Sequence, residues 1–267
     1  MKNTFSTYNK CTYLELIWIC VSSVVIFTMI RRLTPWFGSS KIFFNVCCHS
    51  VLFVFLVLEY IYYSSKILGF TFKECRVFPF QCTKGSLRMA VGVPLFICFI
   101  TMIAAGGVTT SEIDPEEFIY ITLLNFFNSS IASGITEELF FRGYLFRRVE
   151  TKSNWKIAVL FTSICFGAGH ISGKTISLYT ISIFIGSVCL GGLLAVMTYK
   201  SGTIWGAVLL HMFLNLKERL VGFDDSSSLF VFKFAKEPVA FQIMMGWLIT
   251  AAISLIMVWI YLGKKKS

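Results

Sequence analysis

Long apolar runs recur along the whole sequence, and this feature limits the possible folds more than any other. A helix that crosses a bilayer needs about 20 mostly apolar residues. Eight such runs can be placed in the 267 residues, and the fourth continues as helix to about residue 146. They cover residues 12–30, 42–63, 88–108, 117–137, 155–172, 178–198, 203–220 and 240–262. The sequence therefore predicts an all-α, polytopic membrane helix bundle with about eight transmembrane helices.

The composition agrees with a membrane bundle. Only 14% of the residues are charged, against about 25% in a typical soluble domain. The first apolar run, from about Leu14 to Ile30, is longer than the roughly 7–15-residue core of a signal peptide, and no A-x-A-like site follows it. We therefore expect a retained first helix, and one transmembrane domain over residues 1–267.

The 24 Lys and Arg residues lie mainly at the ends of the apolar runs. Because they do not gather on one face, membrane topology explains the net charge of +10 better than nucleic-acid binding does. With the N-terminus inside, 15 of them fall in cytoplasmic segments and 8 in outer loops, while the acidic loop at residues 109–117 falls outside. We predict that both termini are cytoplasmic.

The nine cysteines show no C-x-x-C pair and no zinc-ligand spacing. Most of them lie in apolar runs, where a thiol behaves as a small hydrophobic side chain. Cys75 and Cys82 share the segment 64–87, where a disulfide could form but is not expected if this loop is cytoplasmic. The segment mixes Phe with Lys and Arg, which fits either a chain lying along the membrane surface or an ordinary basic loop.

Ionisable side chains inside the predicted spans are the candidates for chemistry, since each costs roughly 2.5–3.5 kcal/mol to insert. Residues 136–146 read TEELFFRGYLF. Glu138 and Arg142 are four residues apart, share a helix face and can form an ion pair, either structural or catalytic. Glu137 points about 100° away. A carboxylate without a charged partner in an apolar cavity can serve as a general base.

The chain has three histidines, all in predicted helices. His170 lies four residues after Phe166, and His211 lies four residues before Asn215. A carboxylate and a neutral imidazole can polarise water, and a second imidazole and a carboxamide can donate hydrogen bonds to an oxyanion, so the set suffices for amide hydrolysis. The alternatives are packing for His170 and an interhelical polar clamp for His211 with Asn215. His49 has no partner motif, and we expect it to be structural.

Two histidines and one glutamate could also hold a zinc ion with an open coordination position. The ligands would be Glu137, His170 and His211. The sequence lacks the H-E-x-x-H pair of the common zinc peptidases. The common arrangement of zinc peptidases is therefore absent, and a zinc site formed by other ligands stays open.

Three short motifs resemble those of the CPBP intramembrane proteases, also called the CAAX protease or Abi family. EELFFR at residues 137–142 resembles E-E-x-x-x-R, FGAGH at 166–170 resembles F-x-x-x-H, and HMFLN at 211–215 resembles H-x-x-x-N. All three appear in the order of the family. The resemblance covers about residues 117–220.

The resemblance implies an all-helical fold with an intramembrane cavity lined by the three motifs. Residues 117–220 would be the catalytic core, preceded by N-terminal helices over 1–116 and followed by a loop and helix over 221–267. Glu137 would be the catalytic carboxylate and would activate water with His170. The oxyanion site would consist of His211 and Asn215. The supporting residues would be Glu138, Arg142 and Phe166. The mechanism implied by the resemblance is either a metal-free, glutamate-type one or that of a metalloprotease. We expect no tightly bound cofactor, with a divalent metal such as zinc as the alternative.

The resemblance makes an intramembrane endopeptidase the predicted function. Its substrate would be a membrane-associated peptide or lipidated protein, processed as a CAAX protein, a bacteriocin or a signal peptide. The short loops indicate a prokaryotic cell membrane. The alternative is a non-catalytic immunity or regulatory protein of the same fold. A small-molecule transporter is disfavoured because the two halves of the sequence show no inverted repeat.

Overall fold

The fold is taken from a computed structural model. It describes residues 71, 73–111, 113–114, 118, 122, 126, 130–131, 133–223, 228–233 and 239–263. The predicted spans 12–30 and 42–63, His49 and both chain termini lie outside the described residues. So does most of the segment 112–132, which contains the first part of the fourth predicted helix.

The described part of the chain is mostly helical, in agreement with the predicted class. A π-helical segment over Leu139–Leu145 joins the second α-helix to the third. The α-helices are α1 Lys84–Ala105, α2 Ser133–Glu138, α3 Phe146–Lys152, α4 Trp155–Ile171, α5 Leu178–Ser201, α6 Trp205–Leu220 and α7 Val239–Gly263.

Local capping sets the ends of α4 and α5. The Asn154 side chain accepts a hydrogen bond from the Ile157 N–H at 3.1 Å, and the Ser177 hydroxyl accepts one from the Thr180 N–H at 3.1 Å. Both bonds satisfy N–H groups that have no partner within the first helical turn. Helix α5 ends at Gly202, whose φ of 73° is left-handed. The predicted spans 155–172 and 178–198 therefore agree with α4 and α5 to within three residues.

Three described helices are long and apolar enough to cross a membrane. They are Lys84–Ala105, Leu178–Ser201 and Ala240–Gly263, and the apolar helix Trp155–Ile171 is shorter. Helices α1 and α7 expose large hydrophobic side chains, among them Leu95 at 65% and Trp259 at 78%. Such a surface is expected where lipid covers it. The predicted count of about eight spans is not confirmed by the described residues.

The fourth predicted helix differs from the continuous α-helix that we expected to end near residue 146. It changes to π-helix at Leu139, returns to α-helix at Phe146 and runs on to Lys152. All seven residues of the π-helical segment are buried. The segment packs on every side, so tertiary contacts rather than a one-sided apolar pattern set its geometry. Wide π turns of this kind are frequent at functional sites.

A small β-sheet is an addition to the predicted all-α fold. Its strands are β1 Val108–Thr110, β2 Val221–Gly222 and β3 Phe230–Phe232, in the order β1-β3-β2. Strand β3 is antiparallel to β1 and parallel to β2. The strands lie at the end of the bundle where α1 and α6 finish. Because they are short and pair across long sequence separations, they leave no periodic signal in the sequence.

The opposite end of the bundle holds several of the basic loops. Arg76 donates to both carboxylate oxygens of Glu150 at 2.9 Å, and its carbonyl accepts from the Ile204 N–H at 3.1 Å. Trp205 donates through its indole N–H to the Val77 carbonyl at 2.8 Å. Segments that the charge count assigns to one side of the membrane thus lie together. From residue 73 to 82 the chain is an ordered loop.

Close packing of α4 against α5 depends on Gly167. A Cβ added at Gly167 would lie 2.5 Å from the Val188 Cγ2 atom and 3.1 Å from the Phe184 carbonyl oxygen. At Gly169, two residues later in the same motif, an added Cβ would meet nothing within 4 Å. The two glycines therefore have different structural roles, although both belong to FGAGH.

We expect Gly167→Ala to lower the free energy of unfolding by about 1–3 kcal/mol, because the methyl group overpacks the α4–α5 contact. Gly169→Ala is the matched control. It should be neutral or stabilising by up to about 1 kcal/mol, because Ala loses less backbone entropy than Gly in a helix. Unfolding of the detergent-solubilised protein measures both. Equal stabilities of the two variants would contradict the packing assignment.

Cys75 and Cys82 are both free thiols. Burial raises the pKa of the Cys75 thiol to about 11, and the smaller burial of Cys82 also raises its pKa. With a pKa of about 11, roughly one Cys75 thiol in a thousand is ionised at pH 8. Because the thiolate is the nucleophile, Cys75 should be inert in the folded protein.

A maleimide at pH 8 should therefore modify Cys82 faster than Cys75. The residual rate at Cys75 should rise about tenfold for each pH unit up to its pKa. Mass spectrometry of peptides from the labelled protein measures both sites. Labelling of Cys75 at the rate of a free cysteine would refute its burial.

Candidate active site

Glu138 is a fully buried carboxylate shared by two basic side chains. Its Oε1 atom accepts from Arg142 Nη1 at 2.9 Å and from His211 Nδ1 at 2.9 Å. The side chains of Glu138 and Arg142 are both 0% exposed. The ion pair that the four-residue spacing predicts is therefore present. The bond to His211 was not predicted, since we expected that imidazole to act with Asn215 at the oxyanion site.

Arg142 makes three further contacts that fix its guanidinium plane. It donates through Nη2 to the Gly191 carbonyl at 3.3 Å. Its Cζ atom lies 4.2 Å from the ring centre of Phe166 and 5.6 Å from that of Phe141. A Cβ added at Gly191 would lie 3.3 Å from the Phe166 ring and 3.4 Å from Arg142 Nη2. The absence of a side chain at Gly191 therefore lets α5 approach the ion pair.

Phe166 connects all three motifs. Its ring centre lies 4.5 Å from that of His170 and 5.8 Å from that of His211, and Arg142 packs on the same ring. Its side chain is 1% exposed. The aromatic residue of the second motif is thus the surface on which the basic groups of the first, second and third motifs meet.

Glu137 occupies a different environment from Glu138. It is half-buried, and the Ser133 hydroxyl donates to its Oε1 atom at 2.5 Å. Sequence reasoning missed Ser133, although its position four residues before Glu137 on one helix face was the available signal. The structure therefore gives Glu137 a neutral hydrogen-bond partner and Glu138 two basic ones.

The hydrogen bonds of the two histidines indicate which ring nitrogen carries the proton. His170 Nδ1 lies 2.9 Å from the Phe166 carbonyl oxygen. Because a carbonyl only accepts, His170 Nδ1 is the donor, and Nε2 holds the lone pair in the neutral ring. His211 Nδ1 donates to Glu138 in the same way. Its Nε2 atom accepts when the ring is neutral and donates only in the imidazolium form.

Asn215 lies one helical turn after His211 on α6 and is half-buried. The four-residue spacing keeps both side chains on one face of the helix. The described contacts thus join Glu138, Arg142, Phe166, His170 and His211 into one cluster. Glu137 lies beside this cluster, and the predicted cavity lined by all three motifs stays a prediction.

The predicted metal ligands do not form a metal centre as arranged here. Among the described residues, which include Glu137, His170 and His211, no group of three His, Cys, Asp or Glu side chains is placed to hold a metal ion. The Nδ1 atoms of both imidazoles bond to protein oxygens, as they also do in histidines that bind a metal through Nε2. The expectation of no tightly bound cofactor, with zinc as the alternative, therefore stays a prediction.

Comparison with known families gives one match within the chain. Residues 118–217 match the model described as type II CAAX prenyl endopeptidase Rce1-like. Over this segment, which is less than half of the chain, the protein is similar to CAAX prenyl endopeptidases. The segment contains all three motifs and confirms the resemblance to the CPBP proteases. The match and the apolar helices support an integral membrane protein, and the match suggests an intramembrane protease. No curated protein matches the chain.

The contacts of Arg142 predict that lysine cannot replace it. Arg142→Lys keeps the charge but loses the planar contact with Phe166 and the bond to the Gly191 carbonyl. We expect a loss of about 1–3 kcal/mol in the free energy of unfolding. The control is Arg147→Lys, because Arg147 pairs with Glu150 at 3.0 Å but is 29% exposed.

Arg147→Lys should cost at most about 1 kcal/mol, as is usual for a partly exposed ion pair. Chemical or thermal unfolding in detergent measures both variants under the same conditions. Equal losses in the free energy of unfolding would show that the buried contacts of Arg142 stabilise the protein no more than the partly exposed ion pair of Arg147 does.

Proposed function

We propose that this protein is an intramembrane endopeptidase that hydrolyses a peptide bond in a membrane-associated peptide or lipidated protein. The observation that carries the proposal is the convergence of the three motifs on Phe166, within the segment that matches the CAAX prenyl endopeptidase model. Buried charged groups in an apolar bundle are costly, so a cluster of this kind is expected to have a function.

In the proposed reaction Glu137 acts as the general base. It accepts a proton from a water molecule whose oxygen attacks the carbonyl carbon of the scissile amide. The bond from Ser133 engages one oxygen of the carboxylate and orients the other for this task. His170 Nε2 accepts the second O–H of the water, since its Nδ1 atom is held by the Phe166 carbonyl.

The attack produces a tetrahedral intermediate whose negative oxygen needs donors. Asn215 would donate through its amide N–H groups, and His211 through Nε2 when the ring is imidazolium. Glu138 supplies the counter-charge at His211 Nδ1. The proton held by Glu137 then passes to the leaving nitrogen, the C–N bond breaks and the Glu137 carboxylate is regenerated. No other reactant is needed.

The substrate class is proposed from the family together with the membrane setting. The matching model describes CAAX prenyl endopeptidases, so a lipidated C-terminal peptide is the first candidate substrate. Processing of a bacteriocin or a signal peptide uses the same chemistry and remains the second. The short loops favour a prokaryotic cell membrane. The distribution of the basic residues along the sequence favours an orientation with both termini cytoplasmic.

Replacement of the general base tests the proposal. Glu137→Ala should lower peptide cleavage at least about a hundredfold, as is typical when a general base is removed. His170→Ala should also lower it strongly. Glu74→Ala is the matched control, because Glu74 is exposed in the loop before α1 and should leave cleavage unchanged. C-terminal and peptide proteomics of cells that express each variant measures the products and names the substrate.

Glu137→Gln separates catalysis from a non-catalytic role. The amide has nearly the same size as the acid and can still accept from Ser133, so the protein should fold normally, which its thermal unfolding checks. A peptidase should lose its biological phenotype with this substitution. An immunity or regulatory protein that acts through helix contacts should keep it, and that result would overturn the proposed function.

A further inference from the structure

A cavity lies apart from the candidate active site, where α1, α5 and α7 meet at the basic end of the bundle. Its volume is about 660 Å³. One part of its lining is apolar and the other is basic or hydroxylic. The apolar part is formed by Met89, Gly92, Val93, Phe96, Met257 and Ile260. The lining of the cavity is therefore complementary to an amphipathic ligand, with one part for an apolar group and the other for a polar or anionic group.

The charged part of the cavity carries one sign only. Lys84 and Arg88 come from the first turns of α1, and Lys200 comes from the last turn of α5. Among the described residues that line the cavity there is no Asp or Glu. Ser201 and Tyr261 add hydroxyl groups at the same end. Three cations with nearby hydroxyls are suited to a phosphate group.

Gly92 leaves the apolar part of the cavity open. A Cβ added at Gly92 would meet no atom within 4 Å. Phe96, one turn further along α1, is 41% exposed and continues the same wall. An acyl chain running along α1 from the basic end would pass over both residues. Helices α1 and α7 are both candidate membrane spans, so the cavity opens where lipid chains are available.

We infer that this cavity binds an anionic glycerophospholipid, with its phosphate at Lys84, Arg88 and Lys200 and an acyl chain along Gly92 and Phe96. Basic pockets between transmembrane helices are known to select anionic headgroups. Charge complementarity favours an anionic over a zwitterionic lipid, and the apolar wall favours a lipid over a soluble phosphate compound. The site is separate from the catalytic one, since Lys200 lies about 14 Å along α5 from Gly191.

Native mass spectrometry of the full-length protein in detergent tests the site. The probes are phosphatidylglycerol and phosphatidylcholine with identical acyl chains. The wild type should prefer phosphatidylglycerol. The triple variant Lys84→Gln, Arg88→Gln and Lys200→Gln should bind it at least about tenfold more weakly, because each basic residue contributes to attraction of an anionic headgroup. Glu137 keeps its environment in this variant, so the result is independent of the proposed peptidase reaction.

A second triple variant controls for net charge. It carries Lys73→Gln, Lys152→Gln and Lys156→Gln, all exposed positions outside the cavity lining. This variant should bind phosphatidylglycerol as the wild type does. An equal loss of phosphatidylglycerol binding in both triple variants would contradict the proposed lipid site. So would the absence of any preference of the wild type for phosphatidylglycerol over phosphatidylcholine.

Gly92→Leu tests the acyl-chain part without any change of charge. The leucine side chain should fill the groove and weaken phosphatidylglycerol binding, while the folded protein is kept because Leu is a better helix former than Gly. Inorganic phosphate and the soluble headgroup glycerophosphoglycerol should compete poorly with the lipid. Full binding by Gly92→Leu, together with effective competition by the soluble compounds, would overturn the lipid assignment in favour of a soluble anion.

Discussion

A single carboxylate oxygen, Oε1 of Glu138, holds the described core together. It accepts from Arg142 in the π-helical segment and from His211 on α6, and Arg142 in turn reaches the backbone of α5 at Gly191. Removing one member of such a buried set leaves an uncompensated charge, which typically costs about 3–5 kcal/mol. The relative positions of three helical segments are therefore fixed by the need to keep this anion paired.

Glu137 and Glu138 are adjacent in sequence but differ in burial and in hydrogen-bond partners. Glu138 bonds two basic groups inside the protein through its Oε1 atom and is 0% exposed. Glu137 is half-buried and bonds to the hydroxyl of Ser133. A base needs a carboxylate oxygen that is not neutralised by a permanent cation. Because Glu138 is the acid that pairs with the buried basic side chains, Glu137 is the one suited to act as the general base. The two adjacent glutamates therefore fit the proposed reaction.

Some of this structure could be read from the sequence, and some could not. Helices α4 and α5 were predicted to within three residues, because apolar runs are a local signal. The Glu138–Arg142 pair follows from helical spacing alone. The bond from His211 to Glu138 spans 73 residues, and the β-sheet pairs Val108 with Phe232, so both depend on packing that no local pattern records. The contacts of Phe166 with Arg142 and His211 also depend on such long-range packing.

The π-helical segment between Glu138 and Phe146 determines which way the two adjacent glutamates face relative to the helix that follows. Each i→i+5 turn holds more residues than an α turn, so the segment takes up one extra residue within the helix. The α-helical parts before and after it therefore keep nearly the relative rotation that they would have without that residue. If the segment became α-helical with all its residues kept, everything before it would rotate by about 100° relative to everything after it. Both glutamates would then face different neighbours, although every motif residue would be retained.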